Sequence, residues 1–111
     1  MTPRDFRALA LELPGAIESA HMGHPDFRVG GKIFATLGPG EAYGVAMLTP
    51  DLQADFVAAA PEVFAPVAGG WGRRGMTRIE LKPARRPQVR RALREAWRLR
   101  APKHLLEGGT A

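Results

Sequence analysis

The sequence predicts an α+β fold with a largely antiparallel sheet, on three observations. Apolar residues recur at helical spacing near the start, in the middle and near the end of the chain. Between them lie short β-rich runs, joined by Gly- and Pro-containing turns too short for the crossovers that parallel strands require. The third is composition: 111 residues, 45% hydrophobic and 24% charged, suffice for one core without disulfide or metal staples. With no internal repeat and no linker, a single domain is expected.

The first helix is capped by Thr2, with Pro3 at its first position and Asp5 in the first turn, where the helix dipole favours an anion. Phe6, Leu9, Ala10 and Leu13 face inward, and Pro14-Gly15 stops it. Ala16 to Met22 follows as a strand. Phe27 to Leu37 reads as a strand interrupted at Gly30-Gly31 by a bulge or a tight turn, because paired glycines permit unusual backbone angles. After a turn at Gly38-Pro39-Gly40, Ala42 to Leu48 is the next strand.

Thr49-Pro50-Asp51 starts a second helix to about Ala60, with Leu52, Phe56, Val57 and Ala60 inward. Val63 to Val67 is a short strand, placed at an edge by Pro66. Gly69-Gly70-Trp71-Gly72 reads as a turn. In the strand Gly75 to Lys82, Met76, Arg78 and Glu80 share one face and Thr77, Ile79 and Leu81 the other. The last helix starts near Pro87 and puts Val89, Ala92, Leu93, Ala96 and Trp97 on one side. Arg90, Arg91, Arg94 and Arg98 occupy the other. Ala101-Pro102 breaks it, and Pro102 to Leu106 adds a turn before a tail, 106–111, expected to be disordered.

Charge is distributed unevenly. Residues 1–72 carry four basic side chains against eight acidic ones, whereas residues 73–111 carry twelve against three, for a total of +5. Arginine outnumbers lysine 13 to 3, the bias of a GC-rich coding sequence, which explains the type of cation and not its crowding into the last third. The basic set is Arg73, Arg74, Arg78, Arg85, Arg86, Arg90, Arg91, Arg94, Arg98 and Lys103, which Lys32 extends if its strand lies near the last helix. Like charges one turn apart, as at Arg90, Arg94 and Arg98, repel. A phosphate-rich partner relieves that repulsion, and guanidinium binds phosphate bidentately. The alternative is a solvated helix face.

Other chemistries find less support. With no cysteine, disulfides, thiolate metal sites and cysteine nucleophiles are excluded. Glu18, His21, His24 and Asp26 include potential metal or acid–base groups, but in a strand Glu18 and His21 point to opposite faces, and His24-Pro25-Asp26 is more simply a turn. Gly30-Gly31-Lys32 lacks the full phosphate-loop spacing, and Ser19 lacks the nucleophile-elbow context. Trp97 belongs to the apolar stripe; Trp71, flanked by glycines, is the better candidate for exposure. No run approaches the roughly 18 apolar residues that span a bilayer, and no secretory signal opens the chain, so a cytoplasmic location is expected.

Leu13-Pro14-Gly15, Phe27-Arg28-Val29-Gly30-Gly31-Lys32-Ile33-Phe34-Ala35 and Ala96-Trp97-Arg98 with Ala101-Pro102-Lys103 together resemble the MmcQ/YjbR family, over about residues 3 to 106. The resemblance implies a two-layer α/β sandwich with helices on one face of the sheet, in the order α-β(3)-α-β(2)-α, similar to the secretion-chaperone-like fold. It also implies DNA binding, by analogy with a double-wing domain, and brings no cofactor or catalytic residue. Relatives often carry an aromatic in the strand after Trp71, where this chain has Met76.

The expected function is therefore non-enzymatic nucleic-acid binding through the backbone, with no metal, no cofactor and no membrane, by a monomer or weak homodimer. An interaction module with an acidic protein partner is the alternative. An enzyme or small-anion binder is a third possibility, which requires polar groups converging in a concave pocket.

Overall fold

The computed structural model describes residues 1–108. Thr2 opens α1 (Pro3–Leu11) with a reciprocal capping box: Asp5 N–H donates to Thr2 Oγ1 at 3.1 Å, and Thr2 N–H donates to Asp5 Oδ2 at 2.9 Å. Two amides that the helix itself cannot satisfy are thereby paired. Thr2→Ala is expected to lower the unfolding free energy by about 1 kcal/mol, read from the urea midpoint, while Thr2→Ser keeps most of it.

Two tight hairpins follow. Met22-Gly23 joins β1 (Ile17–His21) to β2 (His24–Val29), and Gly30-Gly31 joins β2 to β3 (Lys32–Leu37). Both residues of each turn have positive φ (50° and 79°, then 57° and 79°), so the backbone twists as the flanking strands do. Phe27 to Leu37 is thus two strands, with a register shift at Phe27/Arg28. With β4 (Tyr43–Met47), the first sheet segment has four strands where the sequence predicts three. His24-Pro25-Asp26, predicted as a turn, lies within β2. Met22 takes the turning conformation just before Pro25, and nothing about a methionine signals that.

The chain continues through α2 (Pro50–Ala59), β5 (Phe64–Pro66), α3 (Gly70–Arg73), β6 (Met76–Glu80), α4 (Arg86–Arg100) and α5 (Lys103–Gly108). Gly69 to Gly72, read as a turn, closes into the single helical turn of α3. The helix α5 runs past residue 106, where tail disorder is predicted; 109–111 of that tail lie outside the described residues. The strand order is β1-β2-β3-β4-β6-β5, antiparallel throughout, with β5 at one edge as Pro66 implies.

One face of the sheet is the core. Phe6, Phe27, Phe34, Phe64, Leu37 and Ile79 are fully buried there, and α4 adds Val89, Ala92, Leu93, Ala96 and Trp97, the whole stripe read from its periodicity. Trp97 also donates its indole N–H to the Pro14 carbonyl at 2.9 Å, tying α4 to the end of α1. Among the described residues no helix lies over the other face of the sheet: β4 and β6 alternate between buried and half-buried residues, with Val45 and Arg78 opposite each other on the open side. In α2, Leu52, Phe56 and Val57 are only partly buried, and Gln53 is the residue buried in that helix. Among the described residues no helix is long and apolar enough to cross a membrane.

Candidate nucleic-acid interface

The arginines of the last third divide by the elements that carry them. On α4 the inward stripe faces the sheet, so Arg90, Arg91, Arg94 and Arg98 are exposed on the outer side. The helix stands between two shallow grooves. One, of about 200 Å3, is lined by Glu12, Leu13, Pro14, Arg90, Arg94 and Trp97. The other, of about 270 Å3, lies against α2 and contains Arg91, whose guanidinium sits 5.9 Å from the centre of the Phe56 ring.

Strand direction sets which cations are neighbours. β3 and β6 both run antiparallel to β4, so they run parallel to each other, and Lys32 and Met76 start them at the same end of the sheet. They are separated by the width of β4, about 10 Å. Arg73 and Arg74 stand just before Met76. The turn at Gly30 is packed so closely on Pro102 that a Cβ there would lie 2.8 Å from its ring, which brings the C-terminal end of α4 to that same end. Lys32, Arg73, Arg74, Arg98 and Lys103 are thus gathered at one end of the molecule.

The remaining members are elsewhere. Arg78 is on the open face of the sheet, away from α4, stacked 3.7 Å over the Tyr43 ring and paired with Glu80. Arg85 and Arg86 are at the start of α4, where Arg86 binds Asp5 of α1 at 3.0 Å. A single continuous surface holding the whole set is therefore not what folding produces. The odd-numbered spacing of Arg78 from the buried Thr77 and Ile79 already put it on the opposite side of its strand; what periodicity could not tell is which side α4 covers.

Several of these cations are also partnered. Arg90 pairs with Glu12 at 3.2 Å, Arg98 with Glu95 at 3.5 Å and Lys103 with Glu107 at 4.0 Å. All but Glu95 are about half-exposed or more, and there such pairs are worth about 0–1 kcal/mol and exchange readily for another anion. Among the described residues Lys32, Arg73, Arg74, Arg85, Arg91 and Arg94 make no ion pair with a carboxylate.

Of the group Glu18, His21, His24 and Asp26, two do meet. Asp26 is fully buried, and its Oδ1 accepts from Arg28 Nε at 2.8 Å. Its Oδ2 accepts from Arg28 Nη2 at 3.0 Å and lies 2.7 Å from His21 Nδ1. The Arg28 hydrogen bonds, reinforced by His21, hold the Asp26 carboxyl below the usual range against the opposing effect of burial. Glu18 lies on the other face and binds Arg7, which also grips Glu41. Among the described residues no cluster of three or more His, Cys, Asp or Glu is placed to hold a metal ion. The Asp26–Arg28 pair has a sequence signal, opposite charges two apart in a strand; His21 reaches it only through the hairpin register.

Sequence reasoning also missed Gln53. Its side-chain N–H groups donate to the Gly72 and Met76 carbonyls, each at 3.0 Å, clamping α3 and the start of β6 to α2.

The profile of the YjbR family matches residues 11–99. The crystal structure of Deinococcus radiodurans protein DR2400, with family domain DUF419, is similar at a TM-score of 0.70 and 18% identity, over 88% of this chain and 77% of that one. At that identity the likeness is one of fold. No curated protein matches the sequence.

Proposed function

The chain belongs to the YjbR family, and from that premise we propose that it is a non-enzymatic nucleic-acid-binding protein that holds the phosphate backbone with the outer side of α4. The observation that carries this is the exposed row Arg90, Arg94 and Arg98 on α4, with Lys103, Lys32, Arg73 and Arg74 toward the same end of the sheet. The carboxylates within the row, Glu12 and Glu95, are at the surface and yield to a polyanion at little cost. Contacts of this kind set affinity and orientation and carry no base sequence. Arg78, on the other side of the sheet, stands outside the interface.

Binding to random duplex DNA, single-stranded DNA and RNA, measured over a range of salt, tests the proposal. Log affinity is expected to fall linearly with log salt. In Arg90→Ala/Arg94→Ala/Arg98→Ala the slope on duplex DNA becomes shallower by up to about three units, roughly 0.9 for each phosphate no longer neutralised, whereas Arg78→Ala leaves it unchanged. Absence of retention on any of the three at about 50 mM salt, where phosphate contacts are strongest, would end it.

A second function, docking of a protein partner by strand addition, is favoured by a different feature. The edge strand β1 is exposed along most of its length, with Ile17 59% exposed, and an uncovered edge can accept an added strand. A stoichiometric protein that co-purifies through nuclease treatment would support it.

A further inference from the structure

Trp71 is 64% exposed. Leaving an indole in water forgoes the burial that a tryptophan ordinarily gains. Here the exposure is enforced by the backbone that follows it. A Cβ on Gly72 would collide with the Val67 carbonyl, so the segment can pass only as glycine. Gly75, with φ of 109°, turns the chain against the Leu48 carbonyl. The Gly72 carbonyl is fixed by Gln53 and also accepts from Gly75 N–H at 3.0 Å. Trp71 therefore stands at the crest of a fixed one-turn helix.

Two arginines stand beside the ring. Arg74 has its guanidinium 5.5 Å from the indole centre, and Arg73 is exposed two residues along. Neither meets a carboxylate among the described residues. Lys32 is at the same end of the sheet. A flat apolar ring flanked by unneutralised cations matches a ligand that alternates planar rings with anions, and single-stranded nucleic acid has that pattern. In a duplex the bases are already stacked and out of the reach of an indole at the surface.

We propose that Trp71 is a stacking platform for an unpaired base of single-stranded DNA or RNA, with Arg73 and Arg74 on the adjacent phosphates. This rests on the phosphate-binding role proposed above and adds to it a preference for single strands. The ring stacks without reading base identity, since every base has a π face. Trp97 is 4% exposed, so a fluorescence change that collisional quencher and ligand share reports on Trp71.

The test uses oligothymidine of about twelve nucleotides, within the roughly 4–16 that single-strand-binding OB folds occupy, and a duplex of equal length, with intrinsic fluorescence and the anisotropy of labelled strands read separately. Oligothymidine is expected to quench Trp71 emission, and the duplex to leave it nearly unchanged. Trp71→Ala should weaken single-strand binding about 10-fold, with duplex binding within about 2-fold of the parent, and Trp71→Phe should restore part of the loss. Trp71→Leu, which keeps the apolar surface without a π face, should behave as alanine does. Binding of both nucleic acids with neither quenching nor an effect of Trp71→Ala overturns the stacking role and leaves the α4 interface standing. No binding of either overturns both. Quenching by polyglutamate and not by oligothymidine overturns the single-strand assignment in favour of an acidic peptide.

Discussion

Gly72→Ala is expected to lower the unfolding free energy by about 3–5 kcal/mol, although glycine to alanine in a helix is ordinarily worth about 0.5–1 kcal/mol in the opposite direction. The reversal comes from one contact. The added methyl group, whose position the backbone fixes, would overlap the main-chain carbonyl of Val67, where no rotamer can relieve it. Moving Val67 breaks the hydrogen bond that its N–H donates to the Met76 carbonyl; moving Gly72 breaks the hydrogen bond that Gln53 donates to the Gly72 carbonyl. Each buried hydrogen bond broken adds about 1 kcal/mol to the strain. Gly70, in the same turn of helix, has only the tip of Arg73 near its missing Cβ. Gly70→Ala should therefore be neutral or slightly stabilising, and the pair measured by urea unfolding separates the clash from helix propensity. A Gly72→Ala stability within about 0.5 kcal/mol of the parent would show that the segment is not held as described.

Asp26→Ala carries the second largest expected loss, about 2–3 kcal/mol. The carboxylate is fully buried and has three hydrogen-bond partners, two nitrogens of Arg28 and one of His21. Both residues keep contact with water, at 31% and 44% exposure, so they rehydrate when the carboxylate goes and the loss stays below that of a fully buried ion pair. The pH dependence follows from the direction of the shift. Asp26 is held below the ordinary carboxylate range, chiefly by Arg28, and Asp5 and Glu41 are lowered too, by Thr2 and Arg7 respectively. A depressed folded-state value means a contribution present in full above the unfolded value, about 4, and lost as pH falls through the folded one. Stability should thus decline on acidification below about pH 5, and Asp26→Ala should flatten that decline. An acid limb unchanged in the variant would show that Asp26 does not titrate with unfolding.

The helices and the core were largely legible because their signals are local. Thr2 and Thr49 cap the helices whose starts they mark in the sequence, and the period of Val89, Ala92, Leu93, Ala96 and Trp97 marks the buried stripe of α4 without regard to what covers it. Errors fell where two local signals competed. Pro25 suggested a turn that Met22-Gly23 makes just before it, and Gly30-Gly31 was compatible with a bulge or a hairpin until strand pairing decided. In α2, the apolar positions were right in type, yet Gln53 is buried because two carbonyls from elsewhere in the chain need its amide.

The basic surface illustrates the division most clearly. The amino-acid sequence by itself determined that the last third is rich in arginine, that α4 is amphipathic, and that Arg78 shares a face with Glu80, because each depends on residues a few positions apart. Only the tertiary structure decided which of these cations stand together and which meet an anion. Asp5 and Glu12 reach Arg86 and Arg90 across 81 and 78 positions of sequence, and Lys32 joins the far end of α4 through a turn packed on Pro102. Electrostatic neighbours are set by distance in space, and a periodic pattern along one helix holds no information about the element folded against it.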